Sequence, residues 1–398
     1  MENSKKIFVS VTLGGETLPV GILWCYNRKG RESAAFEYDK QWLAHPKQFA
    51  LEPALRLTEG THYTDKSLFG SIGDSAPDRW GRVLMRRANR TGRTLSEADY
   101  LLGVNDEARE GALRFSDNYG GPYLAHSEEK PIPPLIKLPQ LLSAAEKFMD
   151  DSETAADLKL LLAPGSSLGG ARPKASVIDK GGALAIAKFP RKDDENDVVR
   201  WEAVALALTQ SAGIKTQKWR LEKILDKYVL IVKRFDRTET NRIPFLSAMA
   251  MLNASANDGI LHCYTELADS LLRYGAHPEN DLEELWRRMA FEIMISSTDN
   301  HLRNHGFLYN NAGWTLSPAY DINPNTDKNV FATPIDSSGE NNNIDLAMKN
   351  AANFKVSNQR AKEILEQVKN AVTTWRETAK KFKLPERSIE RMRAAFKV

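Results

Sequence analysis

The sequence predicts an α+β protein whose first half is rich in strands and whose last third is mostly helical. Two observations carry this. Short apolar runs punctuated by glycine and asparagine turns fill much of the first half, and beyond Asp236 long stretches of 3.6-residue periodicity take over. At 398 residues the chain exceeds one ordinary core, so two or three packed units are expected.

Taken in order, Ile7, Val9 and Val11 alternate with Phe8, Ser10 and Thr12 and run into Gly14-Gly15, a strand entering a tight turn with 20–24 as its return. A second composition begins near Ser71, with a helix over 77–93 that has Pro77 near its first turn and Gly92 near its end. Turn residues cluster at Gly120-Gly121-Pro122 and at Pro131, Pro133 and Pro134, which marks 116–134 as a linker. Helices follow over 139–149 and 152–162, the second opening on Ser152, Glu153 and Thr154. The loop G-S-S-L-G-G (165–170) leads into strands over 175–178 and 184–189, then a helix over 198–211 stopped at Gly213. A hairpin over 219–225 and 228–235 turns about Asp226-Lys227, completing a small α+β lobe. In the helical part, 280–295 is the clearest element: Asn280 caps it, Glu283 stands at the capping-box position, and Leu282, Leu285, Met289 and Ile293 form one apolar face. A hairpin follows over 307–309 and 314–316, turned by Asn310-Asn311-Ala312-Gly313, and helical periodicity returns at 361–374 and 387–396.

Composition removes several function classes. Fifty-five Lys and Arg against 52 Asp and Glu leave a net charge of +3, too balanced for a chain built to coat nucleic acid. Cys25 and Cys263 stand alone, without Cys or His at ligand spacing, so neither a disulfide framework nor structural zinc is expected and a reducing cytoplasm fits. The N-terminus has no apolar signal region, and no apolar run approaches the ~20 residues that span a bilayer. A soluble, cytoplasmic protein without a membrane partner is the expectation.

The chemistry concentrates in S-T-D-N-H-L-R-N, where Asp299 and Asn304 lie five apart between a helix and a hairpin, with Asp321 just beyond that hairpin. Phosphoryl transfer needs a carboxylate to orient or deprotonate the attacking hydroxyl, and an amide oxygen with a second carboxylate to hold Mg²⁺. Each residue alone would read as a helix or turn cap; the ordered set points to ATP chemistry. Lys188, in the strand A-I-A-K-F-P, is the candidate phosphate ligand, since an ammonium there needs anionic company. Glu202 is either its partner or part of a solvated helix face. The 165–170 loop begins like a Walker A motif but continues Ala171-Arg172 where Lys-Ser/Thr is required, and it precedes a strand. It is therefore read as a flexible cover over nucleotide phosphates, with Arg172 and Lys174 nearby. His301 and His305 have helical ligand spacing, but Leu302 stands where a zinc protease needs its glutamate, so ordinary loop histidines are preferred. Arginines 79, 82, 86, 87, 90 and 93 form a basic stripe, read as a solvated face ahead of a docking surface for an acidic partner or a DNA backbone.

With these residues in view, the chain resembles the HipA family of serine/threonine kinases, toxin members of bacterial toxin–antitoxin modules. The matching strings are S-S-L-G-G-A-R-P-K-A, A-I-A-K-F-P, V-K-R-F-D-R, S-T-D-N-H-L-R-N and L-S-P-A-Y-D, with G-D-S-A-P-D-R-W-G-R near residue 73. The resemblance implies a two-lobed, protein-kinase-like (HipA-like) fold: a β-rich N-terminal subdomain over 1–120, a kinase-like N-lobe over 135–236 and a helical C-lobe over 237–398. It implies Asp299 as catalytic base and Asn304 and Asp321 as Mg²⁺ ligands. ATP would meet Gly169, Gly170, Ala171, Arg172, Lys188, His301, Asn304 and Asp321, with Lys233 and Phe235 at the adenine-facing hinge. It further implies autophosphorylation at Ser167 or the adjacent Ser166, which would add charge to the loop and force it off the nucleotide. The implied partners are a helix-turn-helix antitoxin, DNA only through that antitoxin, and a protein substrate, an aminoacyl-tRNA synthetase in known members. Two departures stand out: Lys233 occupies the hinge position that is acidic in the best-known member, and Asp321-Ile322-Asn323 replaces D-F-G. The rival readings are a small-molecule phosphotransferase on the same fold and an inactive nucleotide-holding co-repressor.

Overall fold

The computed structural model describes residues 3–89, 91–123, 132–165, 170–238, 241–255 and 258–398. The chain packs as two compact units, Met1–Lys192 with Glu222–Leu246, and Asp193–Leu221 with Ser247–Val398.

The first unit opens with strands β1 (Asn3–Leu13), β2 (Glu16–Arg28), β3 (Arg31–Tyr38), β4 (Thr61–Thr64) and β5 (Leu113–Ser116), in the sheet order β4-β3-β2-β1-β5. Leu13 pairs with Glu16 across Gly14 and Gly15, whose φ values of 60° and 81° place both in the left-handed region that a two-residue hairpin demands. The alternation puts Ile7, Val9 and Val11 in the core, as the sequence predicts, but Ser10 and Thr12 are buried too. The reason is position: β1 is flanked by β2 and β5, and the Thr12 and Thr17 hydroxyls bond to each other at 2.9 Å.

The predicted 77–93 helix spans Arg79–Ala88. It stops early because Asn89 folds its side chain back, its amide donating to the Arg93 carbonyl and its oxygen accepting from Thr91 N. The arginines find partners within the unit. Arg82 pairs with Glu97, and Arg87 pairs with Asp151 and Glu153 while lying 4.2 Å over the Phe148 ring. Arg93 pairs with Asp99. The stripe is thus neither a plainly solvated face nor an uncommitted docking surface at these three positions; Arg90 lies outside the described residues. On the other side of the helix, Trp80 and Leu84 enter a core with Leu141, Phe148, Val177 and Ile231.

That core is shared with a second antiparallel sheet, β6 (Lys174–Ile178), β7 (Leu184–Lys188), β8 (Trp219–Ile224) and β9 (Lys227–Lys233), in the order β6-β7-β9-β8. The 222–224 end of β8 belongs to this unit. Helices Leu138–Met149 and Ala155–Gly165 cover it. The second starts at Thr154, not Ser152: Thr154 and Asp157 exchange the reciprocal bonds of a capping box. Gly165 closes that helix where an added Cβ would come within 2.7 Å of Leu84.

The second unit holds helices Val198–Ser211, Tyr264–Tyr274, Pro278–Met294, Asn358–Thr373, Trp375–Lys381 and Glu386–Met392. Val198–Ser211 has the predicted bounds, and Trp375 stacks on Phe396 with ring centroids 4.2 Å apart, Trp201 lying 6.1 Å from Phe396. Glu202 is buried, which removes the solvated-face reading. The long helix begins at Pro278, so Asn280 is inside it rather than its cap. Proline at the first helical position starts the helix, and Glu283 pairs with Arg360 instead of closing a capping box. Its face of Leu282, Leu285, Met289 and Ile293 is buried as predicted. The predicted hairpin forms from Gly306–Tyr309 and Trp314–Leu316. Among the described residues no helix is long and apolar enough to cross a membrane.

Candidate functional site

The candidate residues fall in both units. In the first, β6 and β7 place Lys174 directly opposite Lys188, and the strand end at Lys233 lies beside Ala185. The more buried lysine of the pair is Lys174, at 6% exposure, whereas Lys188 is half-buried. Of the glycine loop, Ser166, Ser167 and Gly169 lie outside the described residues. Its downstream edge is fixed. Gly170 N donates to Asp78 Oδ2 at 2.7 Å, Trp80 N donates to the Gly170 carbonyl at 3.1 Å, and the Trp80 indole donates to the Lys174 carbonyl at 2.9 Å. Gly170 has φ of 83°, in the left-handed region that favours glycine. Ala171 and Arg172 continue from it into β6.

The segment 234–237 is held by its own charges. Flanking Phe235, Arg234 donates to the Ala108 carbonyl at 2.6 Å and Asp236 accepts from Gly111 N at 2.7 Å. Arg237 adds bonds to the Gly111 carbonyl at 2.8 Å and the Arg109 carbonyl at 2.5 Å. Phe235 itself packs on Phe245 with ring centroids 5.8 Å apart. The V-K-R-F-D-R string contained these residues, but their partners at 108–111 are more than a hundred positions away and left no local signal.

In the second unit, every residue of 284–300 is buried except Asp299, whose side chain is 68% exposed. The Asn304 amide donates to the Asp299 main-chain carbonyl at 2.8 Å, which occupies its nitrogen and leaves Oδ1 as an oxygen donor. The Tyr320 hydroxyl donates to the Arg303 carbonyl at 2.8 Å, so Asn304 and Asp321, next in each segment, are held in one neighbourhood. Asp321 has φ of 53°, a left-handed conformation that a non-glycine residue adopts at some cost and that recurs at functional sites. An amide oxygen and a carboxylate are the hard donors that Mg²⁺ takes, so these residues fit that ion. His301 is half-buried and its carbonyl accepts from Asn304 N at 2.8 Å.

Beneath this loop lies a polar hub that sequence reasoning missed. Asn300 donates to Tyr264 Oη and Glu292 Oε2, both at 3.2 Å, and accepts from Thr333 N at 3.1 Å. Its carbonyl accepts from Thr333 Oγ1 at 2.6 Å and from His305 Nε2 at 3.2 Å. Tyr264 donates to Glu292 at 2.5 Å, and Asn342 donates to the Thr333 carbonyl at 3.0 Å. Burial pushes His305 down to about 4, so its imidazole is neutral and serves as a strut. The only sequence signal for the hub was the density of Asn and His around Asp299.

Burial also pushes the Glu292 carboxyl up to about 7, against the pull of the Tyr264 and Asn300 hydrogen bonds. A carboxyl whose folded pKa is raised supplies its stability below the unfolded value, 4.5, and loses it as pH rises through the folded one. Glu292→Gln removes that titration. The stability difference between variant and wild type should therefore move in the variant's favour from pH 4.5 to 8, by roughly 3 kcal/mol at about 1.4 kcal/mol per pKa unit. Thermal unfolding of both proteins over that range checks it; parallel profiles would show that another group titrates.

Two family models match the sequence, one described as the HipA N-terminal domain over residues 11–116 and one as the HipA-like C-terminal domain over residues 166–375. Among solved structures, the fold is similar to HipA of Shewanella oneidensis MR-1, solved with HipB and its operator DNA. The TM-score is 0.69 at 15% identity, over 97% of this chain and 94% of that one. The Helicobacter pylori proinflammatory kinase CtkA matches 57% of this chain and 90% of its own at 16% identity, with a TM-score of 0.40. No curated protein matches the sequence.

Proposed function

The chain belongs to the HipA family, and on that footing we propose that it is an ATP- and magnesium-dependent serine/threonine protein kinase acting as the toxin of a toxin–antitoxin module. The observation that carries the reading is Asp299, the one exposed residue of the buried stretch 284–300, whose main-chain carbonyl orients the Asn304 amide while Tyr320, the neighbour of Asp321, bonds to the Arg303 carbonyl. Asp299 accepts the proton of the attacking hydroxyl; Asn304 and Asp321 hold Mg²⁺, which when bound neutralises phosphate charge. On the nucleotide side Lys188 meets the phosphates with Gly169, Gly170, Ala171 and Arg172, His301 lies by the catalytic loop, and the backbone of Lys233 and Phe235 faces adenine.

Autophosphorylation at Ser167 or Ser166 would regulate the loop through its added charge. The Shewanella protein was solved with HipB and operator DNA; by that analogy an antitoxin binds this chain and DNA is met only through it. The substrate class is a protein of the translation apparatus. Incubating the purified chain with γ-labelled ATP and Mg²⁺ tests the reading. Label on the chain or on added protein, abolished by a chelator, is the expected result. Label on small molecules alone would favour a metabolite phosphotransferase, and no transfer at all would favour a nucleotide-holding co-repressor.

A further inference from the structure

The segment 323–333, which follows Asp321, is laced to the catalytic loop along its length. Asn323 N donates to Ser297 Oγ at 3.3 Å, Asn325 N to the Ser296 carbonyl at 3.2 Å, and Ala332 N to the Thr298 carbonyl at 3.0 Å. Thr333 closes the lacing on Asn300. Between these anchors Asn325 Oδ1 accepts from Asp327 N at 2.7 Å and Lys328 N at 3.3 Å, and Asn341 donates to the Asn329 carbonyl at 2.7 Å. The backbone on both sides of Lys328 is therefore fixed. Its ammonium stands 4.0 Å from Asp299 Oδ1, with the two side chains 65% and 68% exposed.

As a stabilising bridge this pair is worth little: it lies at the outer limit of ion pairing, in solvent, where such contacts give ~0–1 kcal/mol. Its geometry suits another task. A general base holds its hydroxyl about 2.6–3.2 Å away, and the reacting atoms then sit about 3–3.5 Å apart. A cation 4.0 Å from that base is no farther from it than the transferring group would be, and its exposed side chain can reach that group. Resting on the phosphoryl-transfer reading, we infer that Lys328 is a catalytic residue that contacts the γ-phosphoryl group of ATP during transfer. In the step it serves, the acceptor oxygen bonds to the γ-phosphorus as the bond to the β–γ bridging oxygen breaks. ADP leaves with that oxygen, and the hydroxyl proton passes to Asp299. Lys328 offsets negative charge on the γ-oxygens and reaches no part of ADP.

That last property makes the test independent of turnover. Lys328→Met should weaken Mg-ATP binding about tenfold, the loss of one charge-assisted hydrogen bond, and leave Mg-ADP binding unchanged within about twofold. Transfer should fall by a similar or larger factor in kcat, and Lys328→Arg should recover most of both. Melting temperature should match wild type, since the residue is exposed. Equal ATP-to-ADP affinity ratios in wild type and Lys328→Met would overturn the assignment, as would wild-type kcat in that variant. If wild type and Asp299→Ala were equally inactive, the kinase reading would fall while the nucleotide comparison still decided Lys328. A shift confined to acidic protein substrates would assign Lys328 to substrate recognition instead.

Discussion

Asp299→Ala should lower phosphoryl transfer by about 10²- to 10⁴-fold, the usual worth of a positioned base, while Mg-ATP binding stays within about threefold. The separation follows from how the loop is built. Asn304 is oriented by the main-chain carbonyl of residue 299, which alanine retains, so the oxygen donor for Mg²⁺ keeps its place. The side chain itself is exposed and supports no packing, so its removal should barely change stability. Calorimetric titration with Mg-ATP and single-turnover transfer, run on the same preparation, make the comparison. Loss of both together would mean that Asp299 binds the metal and that the base lies elsewhere.

Asn300→Ala, one residue along, should behave in the opposite way. Asn300 is 3% exposed and its side chain joins Tyr264, Glu292 and the main chain of Thr333. Truncation leaves the Thr333 N–H without its acceptor and the Glu292 carboxyl short of a donor. At ~1–3 kcal/mol for each buried polar group left unmatched, the loss comes to roughly 2–6 kcal/mol. In a unit of this size each kcal/mol is worth about 2–4 °C, so the second unit should melt on the order of 10 °C earlier. Transfer should also fall, because the Thr333 N–H loses the side-chain oxygen that ties it to this loop, and only the Thr333 hydroxyl keeps its bond, to the main-chain carbonyl of residue 300. A melting temperature within about 2 °C of wild type would show that water replaces the amide without cost.

The contrast between these neighbours marks how far the sequence could be read. The helix and hairpin around Asp299, Asn304 and Asp321 were legible from periodicity and turn chemistry, and those three residues were picked out because phosphoryl transfer needs such types in that order. Asn300 was not, since nothing local distinguishes an asparagine that bonds to solvent from one that meets Glu292 and Thr333. Element edges failed where a side chain redirected the backbone: Asn89 ended a helix that composition would have continued, and Pro278 began one that Asn280 would have capped. The burial of Ser10 and Thr12 escaped notice because the alternation of a strand does not report whether neighbours flank it on both sides. Lys188 was singled out by its strand, while Lys174 was noted only as lying near the loop; that it faces Lys188 and is the more enclosed of the two emerged with the register.

The bonds at 234–237 and at Gly170 bear on how the chain can be divided. Asp78 and Trp80 fix the start of β6, and the main chain at 108–111 satisfies Arg234, Asp236 and Arg237. A fragment cut at residue 166 would keep the catalytic loop yet expose a tryptophan-lined core and leave two guanidiniums and a carboxylate without their main-chain partners. The region matched by the C-terminal family model thus lacks the partners of its own first strands. The strands β6 to β9 therefore lean on the helix at 79–88 and the main chain at 108–111, and a division of the chain has to keep these together.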